Sequence, residues 1–167
     1  MGLLQNGKWV DQWYDTKQSD GEFQRQESRF RNWISNDLNS QFKAESGRYQ
    51  LYVSLACPWA HRTLIFRSLK GLESHIDVTV VDAIMLENGW ELSDDLYDLP
   101  FLYELYLKAD KAYEGRVTVP VLWDKKTETI VSNESADIIR MFNSSFNALT
   151  DNQLDFYPEN LSLEIDE

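Results

Sequence analysis

The stretch LYVSLACPWAHR, residues 51–62, leads from a strand pattern into a helix start and has the chain's one cysteine, Cys57, at the junction. Apolar and polar side chains alternate over residues 48–55, which predicts a β-strand. Pro58 suits the first position of a helix, because its missing N–H would have no partner there in any case. We therefore predict a helix over residues 58–70. Three apolar side chains share its predicted buried face: Leu64, Ile65 and Leu69.

Further strands and helices follow this first unit. Strands are predicted at residues 76–81, 117–123 and 129–131, and helices over residues 101–112 and 134–142, the last capped by Ser132. A helix between the first two strands implies that they run parallel, whereas the short turn at Lys125 and Lys126 implies an antiparallel pair. The resulting order of the domain, β-α-β-β-β-α, is typical of the thioredoxin-like α/β fold.

The chain divides into three parts by pattern. Residues 1–46 are polar, contain scattered aromatic residues and lack sustained periodicity, which predicts an N-terminal arm lying across a domain. Residues 47–143 are the predicted thioredoxin-like domain, with an acidic and aromatic insertion at residues 83–114. Over residues 144–167 the pattern fades and acidic residues dominate, which predicts a linker.

Composition and charge argue against several classes of function. The 167 residues suffice for one domain. Sixteen basic residues against 28 acidic ones give a net charge of −12, which argues against a nucleic acid or an anionic membrane as partner. One cysteine allows neither an intrachain disulfide nor a cysteine-based zinc cage, and we predict no metal site. Because we find neither a membrane-span pattern nor a signal peptide, we expect a cytoplasmic protein.

Cys57 is the strongest candidate for a catalytic residue. It lies at or just before the start of the predicted helix, where unpaired amide N–H groups and the helix dipole favour the thiolate over the thiol. A thiolate is the nucleophile of thiol–disulfide exchange. The alternative is an inert cysteine in the core. His61, one helical turn further on, is an alternative base, although the helix terminus already suffices to ionise the sulfur.

Two further patterns indicate a binding site for a peptide. Pro120 interrupts an apolar strand, and a proline there needs a sheet edge or a special turn. In thioredoxin-like folds this proline is cis and lies opposite the cysteine, and the backbone of the residue before it, here Val119, pairs with an extended peptide. At the start of the last predicted helix, Glu134 can take an ammonium group, while Ser135 and the first amides can take a carboxylate. The alternatives are an ordinary edge-strand proline and an ordinary capping region.

Six stretches of the chain together resemble the glutathione transferase superfamily. They are GEFQR (residues 21–25), SRFR (28–31), LYVSLACPWAHR (51–62), ENGW (87–90), GRVTVPVLW (115–123) and SNES (132–135). In detail they resemble the Xi class, the glutathionyl-hydroquinone reductases. The CPWAH block and the long arm separate this branch from the omega class, which shares the cysteine but not the arm.

The resemblance implies a glutathione site in the domain over residues 47–143. It implies that Cys57 is the catalytic thiol and that glutathione is bound by Trp90, Arg116, Val117, Thr118, Val119, Glu134 and Ser135. In this scheme Trp90 covers glutathione, the segment ending at Val119 binds the tripeptide backbone, and Glu134 with Ser135 holds the γ-glutamyl group. The alternatives are a core aromatic for Trp90 and an ordinary surface charge for Arg116.

The resemblance also implies a reaction with glutathione as co-substrate and no metal. Cys57 attacks the sulfur of a glutathionyl-hydroquinone, releases the hydroquinone and forms a mixed disulfide, which a second glutathione resolves. A single cysteine fits this route, because the resolving thiol comes from solution. Two alternatives stay open: an omega-like thiol transferase or dehydroascorbate reductase, and an inactive glutathione-binding fragment.

The family's chains continue into an all-helical second domain, and the full-length proteins are expected to be homodimers. The resemblance implies that this chain stops where that domain would begin. We therefore expect an incomplete pocket for the aromatic substrate, and a chain that is poorly soluble or largely inactive.

Overall fold

The computed structural model describes residues 2–13, 27–93 and 96–167. Its strands are β1 (Leu3–Gln5), β2 (Lys8–Val10), β3 (Tyr49–Val53), β4 (Ile76–Val80), β5 (Gly115–Arg116), β6 (Val121–Asp124) and β7 (Thr129–Ser132). Its helices are α1 (Pro58–Leu69), α2 (Leu102–Ala109), α3 (Ser135–Ser144), α4 (Asn147–Thr150) and α5 (Ser162–Asp166), with a 3₁₀ turn at Glu159–Leu161. Within these ranges no helix is long and apolar enough to cross a bilayer.

The central sheet has the strand order β4-β3-β6-β7. β3 and β4 run parallel and are connected by α1, whereas β6 is antiparallel to both β3 and β7. Both predicted pairings are therefore confirmed. β3 and β6 are buried along their whole length, α1 packs against α3, and α2 packs against β7. The predicted thioredoxin-like α/β fold is confirmed.

The buried face of α1 differs from the prediction. Ala60 and Thr63 are buried, whereas Ile65 and Leu69 are exposed and Leu64 is half-buried. The prediction for Ile65 and Leu69 is therefore wrong. Apolar residues occur on two sides of this helix, so their spacing alone does not select the side that packs. Close packing of α1 against α3 requires small side chains at the contact. The side of α1 that carries the smaller residues is therefore the buried one.

Residues 2–10 form a hairpin within the predicted arm. β1 and β2 pair antiparallel through a tight turn at Asn6 and Gly7, both of which have positive φ. β1 also pairs with β5, which gives a separate sheet of order β2-β1-β5. Three-residue strands are too short to show a period, so the Asn6–Gly7 pair was the available signal for this hairpin.

The later part of the arm lies along the outer edge of β7. Backbone hydrogen bonds join residues 30–32 to residues 131–133. The guanidinium of Arg31 donates two hydrogen bonds to the carboxylate of Asp137, at 2.6 and 2.7 Å, and so fastens the arm to α3. The arm motif at residues 21–25 lies outside the described residues.

The predicted strand over residues 117–123 is wrong in its first part, because residues 117–120 belong to no strand. β5 ends at Arg116 and β6 begins at Val121, with Pro120 between them. Proline has no N–H to donate to a sheet ladder, so the chain joins the central sheet only after Pro120, whereas β5 belongs to the separate sheet with β1 and β2.

The last helix of the domain begins one residue later than predicted. α3 starts at Ser135, and its N-cap is Glu134, whose side chain accepts a hydrogen bond from the Ala136 N–H. The prediction of Ser132 as the cap is therefore wrong. The Ser132 hydroxyl instead accepts a hydrogen bond from the Glu134 N–H, at 3.1 Å, and shapes the turn that leads into the helix.

Residues that follow α3 pack back onto the domain. The ring of Phe156 contacts that of Phe66 on α1, with ring centroids 5.4 Å apart. The ammonium of Lys70 donates to the carbonyl of Leu154, and burial lowers the pKa of this lysine. The division of the chain into arm, domain and linker stays a prediction.

Candidate active site around Cys57

Cys57 lies where β3 turns into α1. It is the N-cap residue of α1, with φ −100° and ψ 116°, and Pro58 follows at the first helical position. Its carbonyl accepts the first helical hydrogen bond, from the His61 N–H at 2.9 Å. The half-buried thiol sulfur lies 3.7 Å from the carbonyl oxygen of Val119. The thiol therefore lies at the N-terminus of α1, where its sulfur caps no amide, and is directed at the backbone before Pro120.

The proline loop, residues 117–120, connects β5 to β6. The Val119–Pro120 peptide bond is cis, as the resemblance implies. Val117 and Val119 are buried, and Thr118 is half-buried. The hydroxyl of Tyr113 donates to the carbonyl of Arg116 at 2.8 Å, immediately before the loop. Burial raises the pKa of Tyr113, so this hydroxyl stays protonated and keeps its donor role.

The clamp pair, Glu134 and Ser135, lies at the N-terminus of α3. One carboxylate oxygen of Glu134 accepts from the Ala136 N–H at 3.3 Å, and the other accepts from the hydroxyl of Ser28 in the arm at 3.1 Å. The predicted capping role of this region is therefore real. It leaves the carboxylate in place to meet a cationic group as well, because a carboxylate accepts several hydrogen bonds.

Arg62 joins the clamp pair, although we assign it no role from the sequence. Its guanidinium donates two hydrogen bonds to the Ser135 hydroxyl oxygen, at 3.1 and 2.7 Å, and lies 4.0 Å from Glu134. It also lies over the ring of Trp59, 5.1 Å from the ring centroid. The sequence signal was its place on α1 five residues after Cys57, but only the packing of α1 on α3 brings it to Ser135.

The turn that precedes Trp90 is held by the N-terminal hairpin. Trp9 on β2 donates its indole N–H to the Glu87 carbonyl at 2.8 Å, and its ring covers Gly89, where a Cβ atom would come within 2.7 Å of it. The ring of Trp90 is buried, and among the described residues its indole N–H has no hydrogen-bond partner. A buried donor without an acceptor is unfavourable unless a ligand supplies one.

Arg116 also lies against the hairpin. It pairs with Leu3 in the sheet of β1 and β5, and its guanidinium donates to the carbonyl of Gln12. The predicted site residues thus fall into two groups. Cys57, Val119 and the clamp pair are held by the central sheet and its helices, whereas the hairpin holds Arg116 and the turn before Trp90.

The arrangement suits a peptide-like ligand that carries an ammonium group and a carboxylate. The Glu134 carboxylate can accept from an ammonium group, while the Ser135 hydroxyl, the guanidinium of Arg62 and the amides of α3 can bind a carboxylate. The thiol of Cys57 lies beside the proline loop, where the sulfur of such a ligand can reach it. Within the part of the chain that is described, no three His, Cys, Asp or Glu side chains group to hold a metal ion.

Known proteins share this sequence over most of its length. A family model described as the N-terminal domain of glutathione S-transferase matches residues 56–145, more than half of the chain. Glutathionyl-hydroquinone reductase YqjG of Escherichia coli (strain K12) is 58% identical over 100% of this chain and 55% of its own length. Glutathione S-transferase omega-like 2 of Schizosaccharomyces pombe (strain 972 / ATCC 24843) is 52% identical over 92% of this chain and 52% of its own length. The chain spans about half the length of the curated relatives it matches.

Solved structures show the same similarity. The crystal structure of the glutathione-S-transferase Xi from Phanerochaete chrysosporium is 54% identical, with a TM-score of 0.81 over 86% of this chain and 52% of that one. The glutathione-bound structure of YqjG from Escherichia coli K-12 is 58% identical, with a TM-score of 0.77 over 82% of this chain and 49% of that one. The resemblance to Xi-class proteins is thereby confirmed, and the chain belongs to the glutathione S-transferase family, whose N-terminal domain it matches.

Proposed function

We propose that this chain binds glutathione and that Cys57 removes glutathione from glutathionyl-hydroquinones. The observation that carries the proposal is the place of the Cys57 sulfur, at the N-cap of α1 and 3.7 Å from the Val119 carbonyl. A helix N-terminus favours a thiolate. A thiolate attacks the sulfur of a bound ligand, which the backbone of Val119 would hold close to Cys57. The name of the reductase relative supports hydroquinone conjugates as the substrate class.

The reaction balances with glutathione as the only reductant. The Cys57 thiolate attacks the sulfur of the conjugate, the carbon–sulfur bond breaks, and the hydroquinone carbon takes a proton. This step leaves a mixed disulfide between Cys57 and glutathione. A second glutathione thiolate attacks that disulfide, which releases oxidised glutathione and restores the Cys57 thiolate.

We assign the ligand groups to residues by charge. Glu134 takes the γ-glutamyl ammonium, and Ser135 with the α3 amides takes the neighbouring carboxylate. The backbone of the segment Val117, Thr118 and Val119 pairs with the peptide of glutathione. Trp90 covers the tripeptide and its indole N–H gains an acceptor, while Arg116 attracts the glycyl carboxylate.

The test is the reaction of the chain with oxidised glutathione and with glutathionyl-menadione. We expect mass spectrometry to show one glutathionyl group added at Cys57 by oxidised glutathione. We also expect release of the hydroquinone from the conjugate in the presence of glutathione. A chain that forms no adduct contradicts the proposal. A chain that forms the adduct without turnover is instead a glutathione-binding fragment.

A second candidate is an omega-like thiol transferase or dehydroascorbate reductase. The relative named glutathione S-transferase omega-like 2 supports it. This candidate shares the Cys57 adduct but differs in the second substrate. Faster turnover with a small disulfide or with dehydroascorbate than with glutathionyl-menadione favours it. The homodimer stays a prediction from the resemblance, and the cytoplasmic location stays a prediction from the sequence.

Arg62 supplies a test of the clamp pair. Its guanidinium occupies lone pairs of the Ser135 hydroxyl, so that the hydroxyl hydrogen points away from it and is available to a carboxylate. We expect Arg62→Ala to weaken glutathione binding about ten-fold, measured by calorimetry. Arg62→Lys keeps the charge without the planar fork and is expected to recover part of the loss.

Lys125→Ala is the matched control for the change in net charge. Lys125 follows the last residue of β6, whereas Pro120 precedes the first, and its ammonium pairs with Asp77. Its removal takes one positive charge from the chain but leaves the clamp pair intact, so we expect unchanged binding. Equal losses in Arg62→Ala and Lys125→Ala would mean that overall charge, and not the contact with Ser135, sets the affinity.

A further inference from the structure

The hydroxyl of Tyr106 lies at the centre of a buried hydrogen-bond network. Tyr106 belongs to α2 and is fully buried. Its hydroxyl donates to the Thr118 carbonyl at 2.9 Å and lies 3.3 Å from the Thr118 N–H, from which it accepts. It also accepts from the side-chain amide of Asn133 at 3.2 Å. One hydroxyl therefore touches both the proline loop and the residue before Glu134.

The contact with Thr118 determines how the proline loop presents its backbone. The Thr118 carbonyl is directed at Tyr106, whereas the next carbonyl, that of Val119, lies 3.7 Å from the Cys57 sulfur. Successive carbonyls of an extended chain point to opposite sides. Holding both backbone groups of Thr118 thus aims those of Val119 at the side where Cys57 lies.

The site has two halves, the proline loop beside Cys57 and the clamp pair. The contact with Asn133 ties Tyr106 to the second of them. Asn133 is buried immediately before the clamp pair, and its own N–H donates to the Phe30 carbonyl at 3.1 Å. The ring of Phe30 packs edge-on against that of Tyr106, with centroids 6.0 Å apart. The start of α3 is therefore tied to the same hydroxyl that holds Thr118.

We propose, on the basis of the function proposed above, that Tyr106 is a positioning residue that couples the two halves of the glutathione site. Its hydroxyl sets the spacing between the backbone of Val119 and the clamp pair. A tripeptide that touches both halves depends on this spacing, whereas a small thiol reagent that meets only the Cys57 sulfur does not. Tyr106 thereby selects for the glutathione backbone without touching it.

The test compares two reactions of Cys57 in the full chain. Tyr106→Phe keeps the ring and removes the hydroxyl. We expect the concentration of oxidised glutathione that half-saturates the rate of adduct formation to rise about ten-fold, because three polar groups lose their shared partner. We expect the rate of alkylation by iodoacetamide to stay unchanged, since that reagent does not use the peptide-binding backbone.

Tyr49→Phe is the matched control. Tyr49 is equally buried, and its hydroxyl donates to the Lys43 carbonyl at 2.6 Å, at the end of β3 remote from Cys57. This variant loses a comparable buried hydrogen bond, so we expect unchanged reactions with both reagents. Asn133→Ala removes the other side of the coupling and carries the test alone if Tyr106→Phe does not fold. The double variant is expected to show less than the product of the two single effects, because both remove the same contact.

The outcomes separate the inference from the function on which it rests. If the half-saturating concentration of oxidised glutathione is the same for Tyr106→Phe as for the unmodified chain, Tyr106 does not couple the two halves. The proposed function then stands. If alkylation slows as much as adduct formation, Tyr106 supports the fold in general and the coupling is again wrong. If the unmodified chain forms no adduct, the proposed function itself fails, and this inference fails with it.

Discussion

Replacing Cys57 with alanine is expected to abolish both adduct formation with oxidised glutathione and turnover with glutathionyl-menadione. The chain contains one cysteine, so no other thiol can take over the attack on sulfur. Loss of a nucleophile in a covalent mechanism lowers the rate by at least about 10³-fold. The measurement is the rate of hydroquinone release together with the mass of the protein after exposure to oxidised glutathione.

Cys57→Ser separates catalysis from binding. A serine hydroxyl is not ionised near neutral pH, so we expect no mixed disulfide, with at most a trace of ordinary transferase activity. Glutathione binding should persist, because the clamp pair and the backbone of Val119 are unchanged. Calorimetry with reduced glutathione checks this. Full thiol-transfer activity in Cys57→Ala would overturn the assignment of Cys57 as the nucleophile.

The largest effect on stability is expected at the ion pair between Arg48 and Asp124, which joins the start of β3 to the end of β6. The guanidinium donates two hydrogen bonds to the carboxylate, at 2.8 and 2.6 Å, and the side chains are only 4% and 0% exposed. Removing the Asp124 charge leaves the buried guanidinium to pair with Glu45, whose side chain is 42% exposed, and weakens its two buried contacts. We therefore expect Asp124→Asn to lower the free energy of unfolding by about 3 to 5 kcal/mol, measured by urea denaturation.

The same pair predicts how stability depends on pH. Burial alone would raise the pKa of Asp124, but hydrogen bonds from Arg48 and Thr127 outweigh it and hold the pKa below its usual range. The folded state therefore binds a proton here less readily than the unfolded chain does. The contribution of the pair is fully present above the ordinary aspartate pKa of about 3.9, and it is lost as the pH falls through the lower folded value.

Asp77→Asn is the matched control for this experiment. Asp77 pairs with Lys125 at 2.8 Å, but its side chain is 64% exposed. Solvent screens such a pair, so we expect a loss below about 1 kcal/mol. We also expect the free energy of unfolding to fall less steeply below pH 4 in Asp124→Asn than in the unmodified chain. Equal costs for both substitutions would show that burial of the Arg48 pair is not what stabilises the domain.

Much of the fold was predictable because its signals are local. Alternation over residues 48–55 and a proline at the first helical position were enough to predict β3, α1 and the cysteine between them. The lengths of the connections then predicted which strands are parallel and which are antiparallel. The hairpin of β1 and β2 was not predicted, since its strands are too short for a period and its pairing with β5 spans over a hundred residues.

The candidate site divides in the same way. Cys57, Pro120 and the clamp pair each stand at a strand end, a turn or a helix start, and those positions are visible in sequence. Arg62 and Tyr106 carry no such mark. An arginine on a helix and a tyrosine in an aromatic-rich insertion are common, so neither residue type marks a site. The contacts of these two residues depend on elements far apart in the chain.

The amino-acid order by itself determined that a lone sulfur begins a helix behind a buried strand, because strand alternation and helix capping act over a few neighbouring residues. Only the tertiary structure decided which side of α1 is covered, which arginine meets Ser135 and which hydroxyl holds Thr118. These outcomes depend on how closely two helices pack and on hydrogen bonds between distant segments. Local spacing carries no information about either.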